Sequence, residues 1–368
     1  MMGVCKICKK ESEVISSFLG LCRECILKEK KALEIAKKAH EISRKKFGLT
    51  PFVPKDEKGL KCFGCGNECK IPEGSKGYCG LVENRNGKLI RNAGTAEKGL
   101  LEWYYDPLPT NCVSINFCSG GTGIGFPKYA KCKNGEVGYF NLAVFYGSCN
   151  FNCLFCQNWH FKYLTQELKP VISAKELASK VNEKVTCICF FGGTPEPQLI
   201  HVIETSKLAL EKKKNDILRI CLESNGNANW KLLKKFAKIS FESGGNIKFD
   251  LKFPPNSSLN FALCGISNEK TYENFKKLAK FHKKRDFPFL TASTLLIPGY
   301  VTEKEVREIA RFIASLDKTI PYSLLGFYPH FEMKDLPLTS RKLAENCLKV
   351  AKEEGLEKVR IGNEHLLV

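Results

Sequence analysis

Three cysteines stand on one short segment, Cys149, Cys153 and Cys156, separated by three and then two residues. Thiolates are metal ligands, and three of them on one loop can hold three irons of a cubane. A [4Fe–4S] cluster ordinarily takes four cysteines. A three-cysteine loop therefore implies a cluster with one iron left open to a small molecule. The alternative is a zinc site, or a structural cluster that draws a fourth ligand from elsewhere in the chain.

Further cysteines stand upstream, in a chain with 19 among 368 residues. Cys5-x₂-Cys8 and Cys22-x₂-Cys25, two pairs 13 residues apart, have zinc-ribbon spacing. Cys62, Cys65, Cys69 and Cys79 form a second set around a turn-rich Pro-Glu-Gly-Ser-Lys-Gly stretch. Four cysteines there fit zinc and an iron–sulfur cluster equally. Cys112, Cys118 and Cys132 form a third set beside Ser119-Gly120-Gly121-Thr122-Gly123, where glycines let backbone approach a ligand closely. That set reads either as an auxiliary cofactor site or as buried free thiols.

The first residues lack an apolar leader, and no run of about 20 apolar residues could span a bilayer. Together with the cysteine count, this argues for metal ligation in a reducing, anaerobic cytoplasm, without membrane contact. Lys and Arg total 58 against 39 Asp and Glu, a formal charge of +19. Metal-bound thiolates reduce that surplus, since a Cys₄ zinc site alone carries about −2. What remains fits an acidic partner, RNA or, more simply, a Lys-rich solvated surface.

Residues 26–47 carry Ala32, Ile35, Ala36, Ala39 and Ile42 at helical spacing, which predicts an amphipathic helix with an exposed basic face. Leu49-Thr50-Pro51-Phe52-Val53-Pro54 breaks it and begins a linker. Residues 82–105 read as short strands around an Asn86-Gly87 turn. From residue 142 strand and helix alternate. Strands are expected at Leu142–Tyr146, Thr186–Phe191, Leu218–Leu222, Ile247–Leu251, Phe289–Ile297 and Tyr322–Phe327. Helices are expected over 174–183, 198–213, 229–238, 269–283, 303–316 and 339–353. Six βα units predict an α/β fold, a partial (β/α)₆ TIM-type barrel. Three regions follow: a ribbon with its basic helix over 1–50, a cysteine-rich metal-binding region over 51–141, and the barrel over 142–368. Barrel enzymes place their chemistry at the C-terminal ends of strands. Phe191–Pro197, Glu223–Asn227, Lys248–Lys252 and Leu296–Val301 all fall at such ends.

From about residue 142 onward the chain resembles the radical S-adenosylmethionine (SAM) enzymes. The resemblance implies that the open iron chelates the amino and carboxylate groups of SAM. An electron from the cluster then releases a 5′-deoxyadenosyl radical. It places Phe155 against adenine. Phe191-Gly192-Gly193-Thr194-Pro195-Glu196-Pro197 resembles the family's Gly-Gly-Glu-Pro motif, which implies that Gly192, Gly193 and Thr194 line the amino end of SAM. Thr194 stands where the acid is expected, and Glu196 lies two residues on. Glu223-Ser224-Asn225-Gly226 resembles a motif that contacts ribose or carboxylate, through Glu223 and Asn225; a helix cap is the plainer reading of the same residues. Asp250-Leu251-Lys252 is similar to the Asp-Leu-Lys of glycyl-radical activating enzymes, where Asp250 positions SAM or substrate and Lys252 an anionic group. A structural ion pair is the alternative. Leu296–Val301 corresponds in place to an adenine-contact strand, with its first glycine absent. Gln157-Asn158-Trp159-His160, Asp106–Cys112 and Ile361–His365 resemble relatives of pyruvate formate-lyase activating enzyme. His160 is there a candidate to donate protons or tune the cluster, or else a packing residue.

These resemblances imply hydrogen abstraction from a protein or peptide, with a ferredoxin- or flavodoxin-type electron donor. A second reading is cobalamin-dependent C-methylation of a protein residue, as in methyl-coenzyme M reductase, although no Asp-x-His-x-x-Gly cobalamin signature occurs. A third, drawn from net charge and zinc ribbons, is modification or binding of RNA, a nucleic acid.

Overall fold

The computed structural model describes residues 2–368. Among these the principal sheet has nine strands: β1 Gly99–Pro107, β2 Phe140–Tyr146, β3 Val171–Ile172, β4 Val185–Gly192, β5 Arg219–Ser224, β6 Ile247–Asp250, β7 Leu290–Leu296, β8 Tyr322–Gly326 and β9 Val359–Gly362. The spatial order is β9-β8-β7-β6-β5-β4-β2-β1-β3. The strands from β2 through β4 to β9 pair in parallel, each with the next along the sheet. β1 adds to β2 antiparallel, from Leu101 opposite Tyr146 to Pro107 opposite Phe140, and β3 adds to β1. The sheet is open, with β9 and β3 at its edges. Every parallel connection steps in the same direction, so crossovers of one hand put their helices on one face.

Strand alternation makes the two faces chemically different. Tyr146, Phe190 and Phe249 point to the helix-covered face. There Tyr146 Oη bonds His201 Nδ1 at 2.8 Å, Phe190 meets Phe236 and Phe249 meets Phe275. Burying such side chains contributes about 1.5–3 kcal/mol each. The opposite face carries Asn141, Cys187, Cys189, Cys221, Glu223, Lys248, Asp250 and Ser293, and these line cavities. A sheet with one oily and one polar face holds its chemistry on the second.

The six expected strands form within two residues of their expected ends, and the helix Glu303–Leu316 matches its expectation. β9 is a seventh parallel strand that the sequence did not announce. The helix expected over 174–183 stops at Ser179, because Asn182 Oδ1 accepts from Lys184 N at 3.0 Å in a local turn. The Asn86-Gly87 turn forms, with φ of 53° and 67°, between Val82–Arg85 and Lys88–Arg91.

The basic helix spans Lys30–Lys45. Ala32, Ala36 and Ala39 are buried as expected, but Ile42 is exposed and the buried face turns toward His40, Ser43 and Arg44. Arg44 donates to the carbonyls of Thr50 (2.6 Å) and Tyr78 (2.5 Å), so a basic residue replaces an apolar one at the seam. The ribbon is tied to the sheet by Tyr300, whose hydroxyl donates to Leu21 O at 2.8 Å and accepts from Ser16 N at 3.0 Å. One hydrophobic core runs from Leu19 through Ile71 and Leu142 to Leu356.

Candidate active site

Cys149, Cys153 and Cys156 lie on the irregular segment that leaves β2. The helix Ser258–Cys264 holds this segment: Asn152 N donates to Cys264 O at 2.8 Å and Leu154 N to Leu263 O at 2.9 Å. A cavity of about 240 Å³ opens beside it. Its wall contains Cys149, Cys153, Phe155 and Cys156 from the loop, Gly192, Gly193 and Thr194 at the end of β4, Glu223 and Asn225 at the end of β5, and Asp250 and Lys252 at the end of β6. The three loop cysteines and the residues from the ends of β4, β5 and β6 are thus brought to one chamber.

Both glycines are there for closeness. A Cβ on Gly192, at φ 115°, would meet Tyr146 N at 2.4 Å, and one on Gly193 would meet Ser148 O at 2.3 Å. Thr194 N donates to Ser148 O at 2.7 Å. The end of β4 is thereby pressed against the cysteine loop. Glu196 is fully buried and does not face the cavity. Its carboxylate accepts from the hydroxyls of Thr194 and Ser224 and from Gly226 N at 3.2 Å, joining the ends of β4 and β5. Burial raises its pKa above the ordinary carboxylate range, against the pull of those donors. With its proton directed to Glu196, the Thr194 hydroxyl keeps acceptor lone pairs for another donor.

Of the charges around the cysteines, Lys162 and Lys248 are buried, whereas Asp250 and Glu223 are partly exposed. A side-chain contact with Cys264 and then Lys252 favour the Cys153 thiolate, whereas burial pushes Cys149 up and Cys156 up to about 12. Cys264 packs behind Cys153 and does not line the cavity. Lys162, in the helix Phe161–Glu167, does line it; burial, and then Arg44, push its ammonium down to about 7. Lys162 Nζ donates to Asn152 Oδ1 at 2.6 Å. Sequence reading missed Lys162, which looks like any helix lysine. Asp250 and Lys252 pair with each other. Burial opposes the Lys252 charge, but Asp250 and Cys153 hold it above the usual lysine range.

Residues 143–313 match the Radical SAM superfamily. The chain carries a radical SAM domain. It is also similar to three proteins of Methanocaldococcus jannaschii. One, uncharacterized, is 24% identical over 84% of this chain and 82% of its own length. A second, provisionally named a glycyl-radical enzyme activating enzyme, is 28% identical over 57% of this chain and 74% of its own. A third, uncharacterized, is 24% identical over 58% and 62%. A radical SAM domain implies SAM and an iron–sulfur cluster, and the three loop cysteines of this one fit that donor set.

Other expected contributors stand elsewhere. His160 is exposed and stacks on Phe145, centroids 4.7 Å apart, outside the cavity, which is the packing role. Of Leu296–Val301, none lines the radical SAM cavity; Leu295 does, and Tyr300 serves the ribbon. The ligand atoms of Cys5, Cys8, Cys22 and Cys25 lie within 4.8 Å of one another. A 2.3 Å Zn–S bond puts tetrahedral sulfurs roughly 3.8 Å apart, so this group suits a single ion. Among the described residues no other trio of His, Cys, Asp or Glu is so tight. Cys62, Cys65, Cys69 and Cys79 surround a small cavity of about 10 Å³. An asparagine network links that group to the domain: Asn67 Nδ2 donates to Asn150 O (2.9 Å), Asn227 Nδ2 to Asn67 Oδ1 (2.6 Å) and Asn225 Nδ2 to Asn150 Oδ1 (2.8 Å). Cys112 and Cys118 face a second cavity, while Cys132 does not. No helix among the described residues is long and apolar enough to cross a membrane.

Proposed function

We propose that this chain is a radical SAM enzyme that takes a hydrogen atom from a protein or peptide. The observation that carries the reading is the single cavity walled by the three-cysteine loop and by the ends of β4, β5 and β6. Cys149, Cys153 and Cys156 hold the cluster; Cys264, which contacts Cys153 but does not line the cavity, is left out of the donor set, so one iron stays open. When bound, the cluster and SAM supply a 5′-deoxyadenosyl radical able to break an unactivated C–H bond.

The chain's own residues bind, orient and shield. The backbone of Gly192 and Gly193 and the Thr194 hydroxyl accept from the SAM ammonium, with Glu196 fixing that hydroxyl. Phe155 covers adenine, and Glu223 and Asn225 accept from ribose hydroxyls. Lys162 and Lys252 offset the negative charge of a thiolate-bound cluster. We read the open sheet as a partial barrel, an arrangement in which its polar face would line the chamber and limit water. Zinc belongs at Cys5, Cys8, Cys22 and Cys25. The protein or peptide substrate rests on the activating-enzyme name of one relative. The electron donor would be of the ferredoxin or flavodoxin type.

The test is SAM cleavage. Anaerobically reconstituted protein with SAM and dithionite is expected to give 5′-deoxyadenosine, and the Cys149→Ala/Cys153→Ala/Cys156→Ala variant none. S-adenosylhomocysteine formed alongside it, and only with added cobalamin, would replace hydrogen abstraction by methyl transfer.

A further inference from the structure

Below the candidate SAM chamber lies a second cavity, of about 430 Å³, inside the roughly 300–1,000 Å³ range of ligand sites. Five cysteines line it: Cys112, Cys118, Cys187, Cys189 and Cys221. The sheet itself sets three of them. Cys187 and Cys189 are two apart on β4 and share its polar face, and Cys221 is the register partner of Cys189 on β5. Cys112 and Cys118 come from the irregular segment that follows β1. That segment is pinned there by Ser114 Oγ, which donates to Asn246 Oδ1 at 3.0 Å, and by Ser323 Oγ, which donates to Val113 O at 2.9 Å.

Two buried cations are aimed at these sulfurs. Lys248 Nζ stands 3.0 Å from Cys112 Sγ and 3.1 Å from Cys189 Sγ. Arg219 puts Nε at 3.1 Å and Nη2 at 3.0 Å from Cys187 Sγ. Each cation also pairs with one acid, Lys248 with Glu223 and Arg219 with Glu136. A buried lysine and a buried arginine that both spend donors on sulfur suit an anionic, sulfur-rich occupant, because charge-assisted donors gain most from an acceptor that carries charge.

We propose that this cavity holds a second, thiolate-bound iron–sulfur cluster on the floor of the candidate SAM chamber. The choice of a cluster over zinc follows from spacing. No three of these sulfurs approach one another as those of the Cys5 group do, and a polynuclear centre spreads its ligands over several metal ions. The two cavities share Asn158, Phe191, Glu223 and Lys248 in their walls, so the second cluster adjoins the first chamber directly. The inference stands on these cysteines and the two cations beside them and does not need the radical SAM reading.

The test is a count of iron and acid-labile sulfide in full-length protein reconstituted anaerobically with iron and sulfide. The Cys187→Ser/Cys189→Ser/Cys221→Ser variant is expected to lose about two or four irons per chain, for a [2Fe–2S] or [4Fe–4S] centre. The Cys149→Ala/Cys153→Ala/Cys156→Ala variant is expected to keep those irons, which separates this claim from the other. If the strand variant fails to fold, Cys112→Ser/Cys118→Ser, on the irregular segment, is expected to show the same loss. Cys347→Ser, a buried cysteine outside every group, is expected to lose none. Full iron and sulfide in a folded strand or segment variant would overturn the proposal and leave the cavity to an organic ligand.

Discussion

Glu196 illustrates what a residue's spacing does and does not tell. The sequence places an acid two positions past the expected one, but only the fold shows it buried between Thr194 and Ser224, away from the cavity. The bonds run between two strand ends 28 residues apart, a relation no local pattern carries. Changing Glu196→Gln replaces a charged acceptor by an amide that also donates. Hydrogen bonds to charged groups contribute about 1.5–3 kcal/mol, so SAM affinity is expected to fall about tenfold or more, with cluster iron unchanged. Equilibrium dialysis of the reconstituted variant measures this; unaltered affinity would remove Glu196 from the positioning of Thr194. That the three cysteines share one cavity was legible because their spacing is local to one loop. Lys162 was not, because its burial comes from tertiary packing and its helical position looks ordinary.

At the scale of elements, the long helices and buried strands were legible because periodicity and length agree. β9 was not: four residues, Val359–Gly362, with a charged side chain among them, give no strand signal. The same holds for the helices Phe161–Glu167 and Ser258–Cys264, each seven residues long and stabilised by what they pack against. The junction between β4 and the cysteine loop is the element contact that the candidate site depends on most. Gly193→Ala would drive a methyl into Ser148 O, which is backbone and cannot turn aside. The variant is expected to fold and to bind iron but to bind SAM at least tenfold more weakly. Titration calorimetry under anaerobic conditions reads this, and wild-type affinity would show that the junction tolerates displacement.

For the whole molecule, the basic helix, the Cys62–Cys79 segment and the sheet share a continuous core, so they are expected to unfold together, while Cys5, Ile15, Cys22 and Cys25 form a small cluster of their own. Three buried histidines, His40, His201 and His282, are each lowered by burial from 6.5 to about 4. Their folded pKa lies below the unfolded one, so the unfolded chain takes up protons first. The stability they allow is complete above about pH 6.5 and is lost progressively as pH falls toward 4. Melting temperature is expected to drop between about pH 7 and pH 5, and to drop less steeply in His282→Gln; equal slopes would contradict the assignment. On the proposed reading Cys149, Cys153 and Cys156 hold a cluster with one open iron. The most direct test of that reading is the electron paramagnetic resonance spectrum of the reduced protein with and without SAM, taken as the difference from the triple-alanine variant. SAM is expected to shift that spectrum, and Cys264→Ser is expected to leave it unchanged. A spectrum indifferent to SAM would mean a fully ligated cluster and would contradict the reading.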